Sequence, residues 1–295
     1  MSNYQIGQAI YDLRIQMNIS QSELAKGICS QSFISRIEKG EISPSAELLY
    51  SLSKKLGVDI NYYFKNNLNP RFDYQLSFCK QVRDYVQKAD YEPVRELIKI
   101  ESKNPYFNNE EMKQFIIWHQ GICAYHIDGD LYGAILYLKK AFNLLGGNKK
   151  KLNGCQLEIA ISIANIYNEE KCYKEAIYYY NLAINRLNEI KGFIDNKILI
   201  RALYNYSKLL YRMDRDKEAV ENSSTAIQLC LELESNYLLG NLLYQNGLSL
   251  EKLGEIKSAL HKIEDAYSIF RIQNNYPFAS HVKRKINNLK TKVTL

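Results

Sequence analysis

The sequence predicts an all-α protein in which a small N-terminal helical domain precedes a longer array of helical repeats. Over residues 1–64, apolar side chains recur at helical spacing between helix-capping residues. A polar, asparagine-rich segment that includes Pro70 follows, and beyond it pairs of alanines recur at nearly constant intervals. The predicted domains are therefore 1–64, a linker over 65–71 and a repeat domain over 72–295.

The first domain divides into five short helices. The first, over about residues 5–17, has an apolar face made of Ile6, Ala9, Ile10, Leu13 and Met17. A capping box at 20–23 begins the second helix, and Gly27 ends it because glycine adopts a left-handed turn at little cost. The third helix spans 31–39 and ends at Gly40. Its inward side chains are Ile34 and Ile37.

The last two helices of this domain follow the same local rules. A hydroxyl cap and a proline at 43–45 open the fourth helix, where no backbone N–H is needed. Its core face is made of Leu48, Leu49, Leu52 and Leu56. The fifth helix is expected to begin at 58–60.

Two short helices joined tightly, the second with a polar outer face, are typical of a helix-turn-helix that enters the DNA major groove. The chain resembles the Cro/C1-type (XRE) family through SQSELA at 20–25, FISRIEKG at 33–40, PS at 44–45 and Leu48. The resemblance implies a phosphate contact from the second helix and base contacts from the third. The candidate DNA-binding residues are Gln21, Gln31, Ser32, Phe33, Ser35 and Arg36. Phe33 fits either a thymine-methyl contact or a cover over the helix turn.

The net charge of +7 is not evidence for DNA binding by this domain, because residues 1–64 hold six Lys or Arg and six Asp or Glu. The last fifteen residues hold five basic and no acidic side chains. They are Lys283, Arg284, Lys285, Lys290 and Lys292. This basic end fits either the solvated face of a capping helix over 277–293 or a tail that contacts phosphate.

The second domain repeats. Four Ala-x6-Ala pairs begin at Ala134, Ala176, Ala219 and Ala259, which are 42, 43 and 40 residues apart. Small residues at Ala164, Ser207 and Gly247 stand twelve before the last three pairs, where paired helices must approach closely. A weaker fifth copy contains Tyr85 and Val94. The pattern resembles the tetratricopeptide repeat (TPR), here longer than usual, and implies a right-handed superhelix of about five degenerate TPR-like repeats with a C-terminal capping helix.

The first helix of each repeat lines the concave face of such an array. Amides there offer paired donors and acceptors that can hold the backbone of an extended peptide. The candidate peptide-binding residues are Gln120, Asn165, Asn205, Lys208 and Gln245. The alternative is that these are solvated surface residues.

The whole chain resembles the PlcR-type, peptide-responsive quorum-sensing regulators of the RRNPP group. The resemblance implies a cytoplasmic transcription regulator that binds double-stranded DNA at a palindromic operator, acts as a homodimer and is controlled by a short re-imported signalling peptide. It places Asn165, Asn205 and Gln245 among peptide-clamping amides. Where that group carries lysines in the first repeat, this chain has Gln87 and Ala89, which indicates a different cognate peptide.

Other classes of function are weighed against this one. The sequence shows no enzyme motif and no cofactor or metal motif, and His119 and His126 are expected to be packed or solvated. A TPR scaffold for a protein partner, or a helix-turn-helix repressor with another ligand, remain alternatives. Cys29 beside the third helix leaves a redox sensor as a further one. No apolar run is long enough to span a membrane, no signal peptide is expected, and the six cysteines are expected to be reduced.

Overall fold

A computed structural model of the chain describes residues 3–65, 70–146, 152–190 and 194–293. Within these ranges every regular element is a helix, apart from an isolated bridge at Ile194, which confirms the all-α prediction. The chain forms two compact units, 1–88 and 89–295. The predicted linker lies partly outside the described residues, and the helix after it groups with the first unit. The proposed domain limits therefore stay a prediction.

The first unit contains six helices within its described residues. They are α1 (Asn3–Gln16), α2 (Gln21–Ala25), α3 (Gln31–Glu38), α4 (Ala46–Lys55), α5 (Tyr62–Lys65) and α6 (Pro70–Gln87). The capping box is present, because the Ser20 hydroxyl accepts from the backbone of Glu23 while the Glu23 carboxylate accepts from the backbone of Ser20. Gly27 and Gly40 adopt positive φ, as predicted. Ser45 caps α4.

Two expectations for this unit are wrong. Met17 is exposed because α1 ends at Gln16 and the chain turns left-handed at Asn18, with φ of 55°. The fifth helix begins at Tyr62, since the Asp59 carboxylate accepts a bond from the backbone N–H of Asn61 and forms a turn there first.

Most of the predicted core of this unit is buried. The side chains of Ile6, Ala9, Ile10, Leu13, Leu24, Ile34, Ile37, Leu49, Leu52 and Leu56 form one cluster, and Leu48 packs against it half-buried. A side chain at Gly7 would collide with the backbone oxygen of Ile37. Helices α1 and α3 therefore touch through their backbones, which fixes the position of α3.

The second unit contains ten α-helices and one 3₁₀ turn within its described residues. They are α7 (Tyr91–Glu101), the 3₁₀ turn Pro105–Phe107, α8 (Glu110–His126), α9 (Leu131–Leu144), α10 (Gly154–Glu169), α11 (Tyr173–Glu189), α12 (Asn196–Arg212), α13 (Asp216–Glu232), α14 (Leu239–Lys252), α15 (Ile256–Ile272) and α16 (Tyr276–Val293). Helices α8 to α15 pair as four consecutive hairpins, which are the predicted repeats. The fifth copy falls on α6 and α7, which belong to different units.

The repeat spacing has a packing cause. All eight alanines of the Ala-x6-Ala pairs are fully buried, as are Ala164 and Ser207. A side chain at Gly247 would collide with Ile263 and approach the backbone oxygen of Ala259. The paired helices therefore approach closely at small residues, as predicted. The hairpin turns also repeat, with positive φ at Gly129, Lys171, Asp214 and Gly254.

The terminal helix α16 packs against α15, and three of its basic side chains have partners. Lys285 Nζ lies 2.5 Å from a Glu251 carboxylate oxygen, and Lys290 Nζ lies 2.8 Å from one of Glu264. Lys283 Nζ lies 5.2 Å from the centre of the Tyr267 ring. These contacts favour the capping role over a phosphate-contacting tail. Among the described residues, no helix combines the length and the apolar character that a membrane span needs.

Candidate functional sites

Helix α3 presents the polar face expected of a reading helix. The Ser30 hydroxyl accepts from the backbone N–H of Phe33 and caps its N-terminus, while Ile34 and Ile37 are fully buried. The opposite face is solvent-exposed. Its exposed side chains are Gln31, Ser32, Phe33 and Arg36, whereas Ser35 is half-buried.

A chain of hydrogen bonds holds both ends of α3 against α1 and α2. Arg14 donates from Nε and Nη2 to the two oxygens of Glu38, at 2.6 and 2.8 Å. Gln21 Nε2 donates to Glu38 Oε2 at 2.8 Å, and Gln31 Nε2 donates to Gln21 Oε1 at 2.6 Å. Arg14 Nη1 also donates to the backbone oxygen of Ile19 at 3.0 Å. Two of the predicted DNA-binding side chains are thus held by each other and by a buried ion pair.

The ion pair of Arg14 and Glu38 was missed by the sequence analysis. Both side chains are almost fully buried, at 8% and 4% exposure. The hydrogen bonds from Arg14 to Glu38 raise the pKa of the guanidinium, although burial opposes the charged form. One signal was present in the sequence, because Arg14 follows Ile10 by four residues and so lies on the apolar face of α1.

Arg36 remains available to a ligand. Its Nε lies 3.5 Å from a Glu41 carboxylate oxygen, and both side chains are half-exposed. An exposed pair of this kind contributes about 0–1 kcal/mol, so a phosphate or guanine can replace Glu41 at little cost.

Cys29 does not have the environment of a reactive thiolate. The side chain is half-buried, and burial raises the pKa of the thiol while the Lys55 ammonium opposes this only in part. A redox sensor needs a lowered pKa. The structure therefore counts against this alternative.

The predicted histidines are packing residues. His119 is buried and its Nδ1 lies 2.8 Å from the backbone oxygen of Phe115. His126 stacks on Tyr91 with ring centres 4.1 Å apart, and burial lowers its pKa. No group of three or more metal-ligating side chains occurs in the parts of the chain that the structure describes.

In the second unit, one face of α10 and one face of α12 carry polar side chains in the same register. The positions recur at i, i+4, i+7 and i+11, which places each set on one helix face. On α10 they are Glu158, Ser162, Asn165 and Glu169; on α12 they are Arg201, Asn205, Lys208 and Arg212. The second set is the more basic.

A cavity of about 130 Å³, open to solvent, lies between these two faces. It is lined by Asn165, Asn168, Glu169, Tyr180, Asn205, Lys208 and Arg212. Asn165 Oδ1 accepts from Tyr180 Oη at 2.6 Å and from Asn205 Nδ2 at 3.0 Å. Arg212 Nη1 donates to Asn168 Oδ1 at 3.1 Å. The lining is therefore polar, and its amides are held in fixed orientations.

Lys208 lines the cavity, and its surroundings lower the pKa of its ammonium group. Burial lowers the pKa of the ammonium, and the nearby Arg212 guanidinium lowers it further, while Glu169 acts weakly in the opposite direction. Lys208 Nζ lies 5.4 Å from the centre of the Tyr204 ring. The site thus holds a cation that its surroundings disfavour.

Polar contacts fasten the first helices of successive repeats to one another. Arg201 Nη2 donates to Glu158 Oε1 at 2.6 Å between α12 and α10. Trp118 Nε1 donates to Ser162 Oγ at 3.0 Å between α8 and α10. The separation of α10 from α12, which sets the width of the cavity, is therefore fixed on the side of Arg201.

The structure brings together three of the five predicted peptide-binding residues, namely Asn165, Asn205 and Lys208. Gln120 lines a separate depression of about 380 Å³ beside the ion pair of Arg95 and Asp128. Gln245 is buried away from the lining of the cavity, and its Nε2 has no hydrogen-bond partner among the described residues. The assignment of all five to peptide binding stays a prediction.

Four lining residues were not foreseen, namely Asn168, Glu169, Tyr180 and Arg212. Arg212 could have been found from its spacing of four residues after Lys208. Tyr180 is one of 24 tyrosines, and only its position beneath the cavity distinguishes it.

Comparison with known proteins decides the family. A model of the RNPP family C-terminal domain matches residues 80–290, and a helix-turn-helix model matches residues 10–63. The chain belongs to the RNPP family. The matched C-terminal domain covers the stacked hairpins of the second unit.

Solved structures agree with this assignment. Bacillus thuringiensis PlcR in complex with the peptide PapR7 and DNA is similar at 26% identity, with a TM-score of 0.74 over 95% of this chain and 99% of that one. The apo form of the same protein has a TM-score of 0.65 over 96% and 99%. Streptococcus dysgalactiae Rgg2, an SHP pheromone receptor, shares the fold at 16% identity, with a TM-score of 0.64 over 96% and 99%. The predicted superhelix of TPR-like repeats is thereby confirmed. A comparison with curated protein sequences finds no match.

Proposed function

We propose that the protein is a DNA-binding transcription regulator whose activity is controlled by a short signalling peptide bound between α10 and α12. The observation that carries the proposal is the polar cavity with its hydrogen-bonded amides Asn165 and Asn205, in an RNPP-family chain that also has a helix-turn-helix. The likeness to PlcR bound to PapR7 and DNA supports both halves of it. The proposal assigns the protein no enzymatic activity and places it in the cytoplasm.

In this proposal α3 enters the major groove of double-stranded DNA. Arg36 pairs with guanine and Gln31 with adenine, because each can make two parallel hydrogen bonds to that base. Gln21 contacts a phosphate at the start of α2, and Ser32, Phe33 and Ser35 complete the interface. One α3 reads only a few base pairs, so a homodimer on a palindromic operator follows.

The cavity in turn holds the peptide backbone. Amides can bind backbone groups of any sequence, since each offers a donor and an acceptor. Asn165 Oδ1 already accepts two hydrogen bonds, which turns its Nδ2 donor toward a ligand carbonyl. Gln120 and Gln245 do not line this cavity, so any contact they make would be with parts of the peptide that extend beyond it.

Peptide binding would act as a population shift between arrangements of the dimer that fit the operator and arrangements that do not. A ligand shifts such an equilibrium only by its difference in affinity for the two states. Coupling of about 1–3 kcal/mol changes DNA affinity about 5–150-fold, which is sufficient for a switch.

Selection from a randomised DNA duplex pool with the full-length protein tests the DNA half. A palindromic site should be enriched, and Arg36→Ala should weaken binding to it by about 1–3 kcal/mol and relax selection at one base pair. Glu41→Ala is the matched control, because it removes the exposed partner of Arg36 and leaves the guanidinium in place. No enriched sequence, or an unchanged Arg36→Ala variant, would contradict the proposal.

Affinity selection from a pool of synthetic heptapeptides tests the other half. Fluorescence anisotropy on an enriched peptide should show that Asn165→Ala or Asn205→Ala weakens binding by about 1–3 kcal/mol, the cost of an unpaired buried amide. Unchanged affinity in both variants would remove the peptide from this cavity.

A further inference from the structure

The polar face of α12 that borders the cavity carries two cations with no carboxylate within ion-pair distance, among the residues that the structure describes. Arg201 is paired with Glu158, whose side chain is only 9% exposed. Lys208 and Arg212, further along the same face, instead meet an aromatic ring and a neutral amide. Both line the cavity.

The charge balance of the cavity favours an anion. Its lining contains two cations and a single carboxylate, Glu169, which is exposed. A partly buried ammonium next to a guanidinium is costly unless a negative group approaches both. Burial and the repulsion of Arg212 already lower the pKa of Lys208, which is consistent with this cost.

The hydrogen-bond balance points the same way. The acceptor of Asn165 is occupied twice, and that of Asn168 is occupied by Arg212. The N–H groups of Lys208, the remaining N–H groups of Arg212 and Nδ2 of Asn165 have no acceptor among the described residues. The cavity therefore offers donors in excess, and a carboxylate, with two oxygens that only accept, complements such a site.

We propose that the cavity selects peptides that place a carboxylate between Lys208 and Arg212, either the C-terminal carboxylate or an Asp or Glu side chain. This inference rests on the proposed peptide function and names the recognised group. The amides of Asn165 and Asn205 hold the backbone beside that group. Charge-assisted hydrogen bonds are stronger than neutral ones, so the carboxylate supplies much of the selectivity.

Two synthetic heptapeptide pools test the inference with the full-length protein, one with free C-terminal carboxylates and one with C-terminal amides. If the terminal carboxylate is recognised, the acid pool is enriched, and amidation of a selected peptide weakens its binding by about tenfold to a hundredfold. If a side chain is recognised, both pools yield peptides with Asp or Glu at a fixed position. Replacing that Asp by Asn, or that Glu by Gln, then weakens peptide binding by the same factor.

Variants of the protein separate the outcomes. Lys208→Met and Arg212→Met should each reduce the difference in binding affinity between the charged and the neutral form of a selected peptide. Lys252→Met is the matched control and should leave it intact, because Lys252 occupies the position of Arg212 one repeat later but is already engaged by Asp214 at 2.7 Å. Selected peptides without a required carboxylate would overturn the inference and leave the proposed function standing. Failure to enrich any peptide from either pool would overturn both.

Discussion

Replacing Glu38 by alanine should loosen the reading helix by far more than a surface substitution does. The variant leaves the Arg14 guanidinium, 8% exposed in the folded protein, without its carboxylate. Removing one member of a buried ion pair typically costs about 3–5 kcal/mol. Gln21 loses its acceptor as well, since its Nε2 donates to the same carboxylate.

Hydrogen exchange measured by mass spectrometry provides the assay, because it reports α1 and α3 separately from the repeat hairpins. A cost of about 3–5 kcal/mol lowers the protection factors of slowly exchanging amides in these helices by about two to four powers of ten. If the whole unit unfolds first, its unfolding sets the lowest protection that can be measured. Glu41→Ala removes a half-exposed carboxylate three residues beyond the end of α3 and should cost under about 1 kcal/mol.

A double variant distinguishes loss of the pair from loss of packing. Arg14→Met with Glu38→Leu removes both charges, and buried pairs replaced by apolar groups are often neutral in stability. The double variant should therefore recover most of the lost protection. A fall of less than about fivefold in Glu38→Ala, the value of an exposed pair, would refute the assignment of this contact as buried and structural.

Three further predictions concern other parts of the chain. The rate of Cys29 alkylation in the native protein should rise with pH, with a midpoint above about 8.5, because burial raises the pKa of the thiol. A midpoint below that of a free thiol would restore the redox alternative. In α16, Ile286→Ala should cost about 2–5 kcal/mol and Lys290→Met about 0–1 kcal/mol, measured as exchange protection of that helix. The reverse order would show that charge rather than burial docks it. Gly247→Val should cost about 1–3 kcal/mol in thermal unfolding, because the added atoms collide with the paired helix; an unchanged melting temperature would contradict that close approach.

The features that could be predicted from the sequence are those set by residues close together in the chain. The capping box at Ser20, the glycine stops and the buried alanines all follow from local rules, and each is present. Asn165 and Asn205 were also predicted to lie on one concave face, and their amides are hydrogen-bonded. The buried alanines could be predicted because equivalent positions in successive repeats have the same environment.

Features that join distant positions were not predictable in this way. Arg14 and Glu38 are 24 residues apart, and neither position is marked by a motif for an ion pair. Gln245 was predicted to line the same concave face as Asn165 and Asn205, yet it lies outside the cavity lining. Local periodicity places a side chain on a helix face, but the cavity depends on how three helices meet.

The affinity of the full-length protein for its selected DNA site, measured with and without a selected peptide, tests the central claim most directly. Peptide-controlled DNA binding predicts a change of about 5–150-fold, which corresponds to a coupling of about 1–3 kcal/mol. Asn205→Ala should require more peptide to produce this change while leaving DNA affinity without peptide unaltered. Equal affinity with and without saturating peptide would contradict the account.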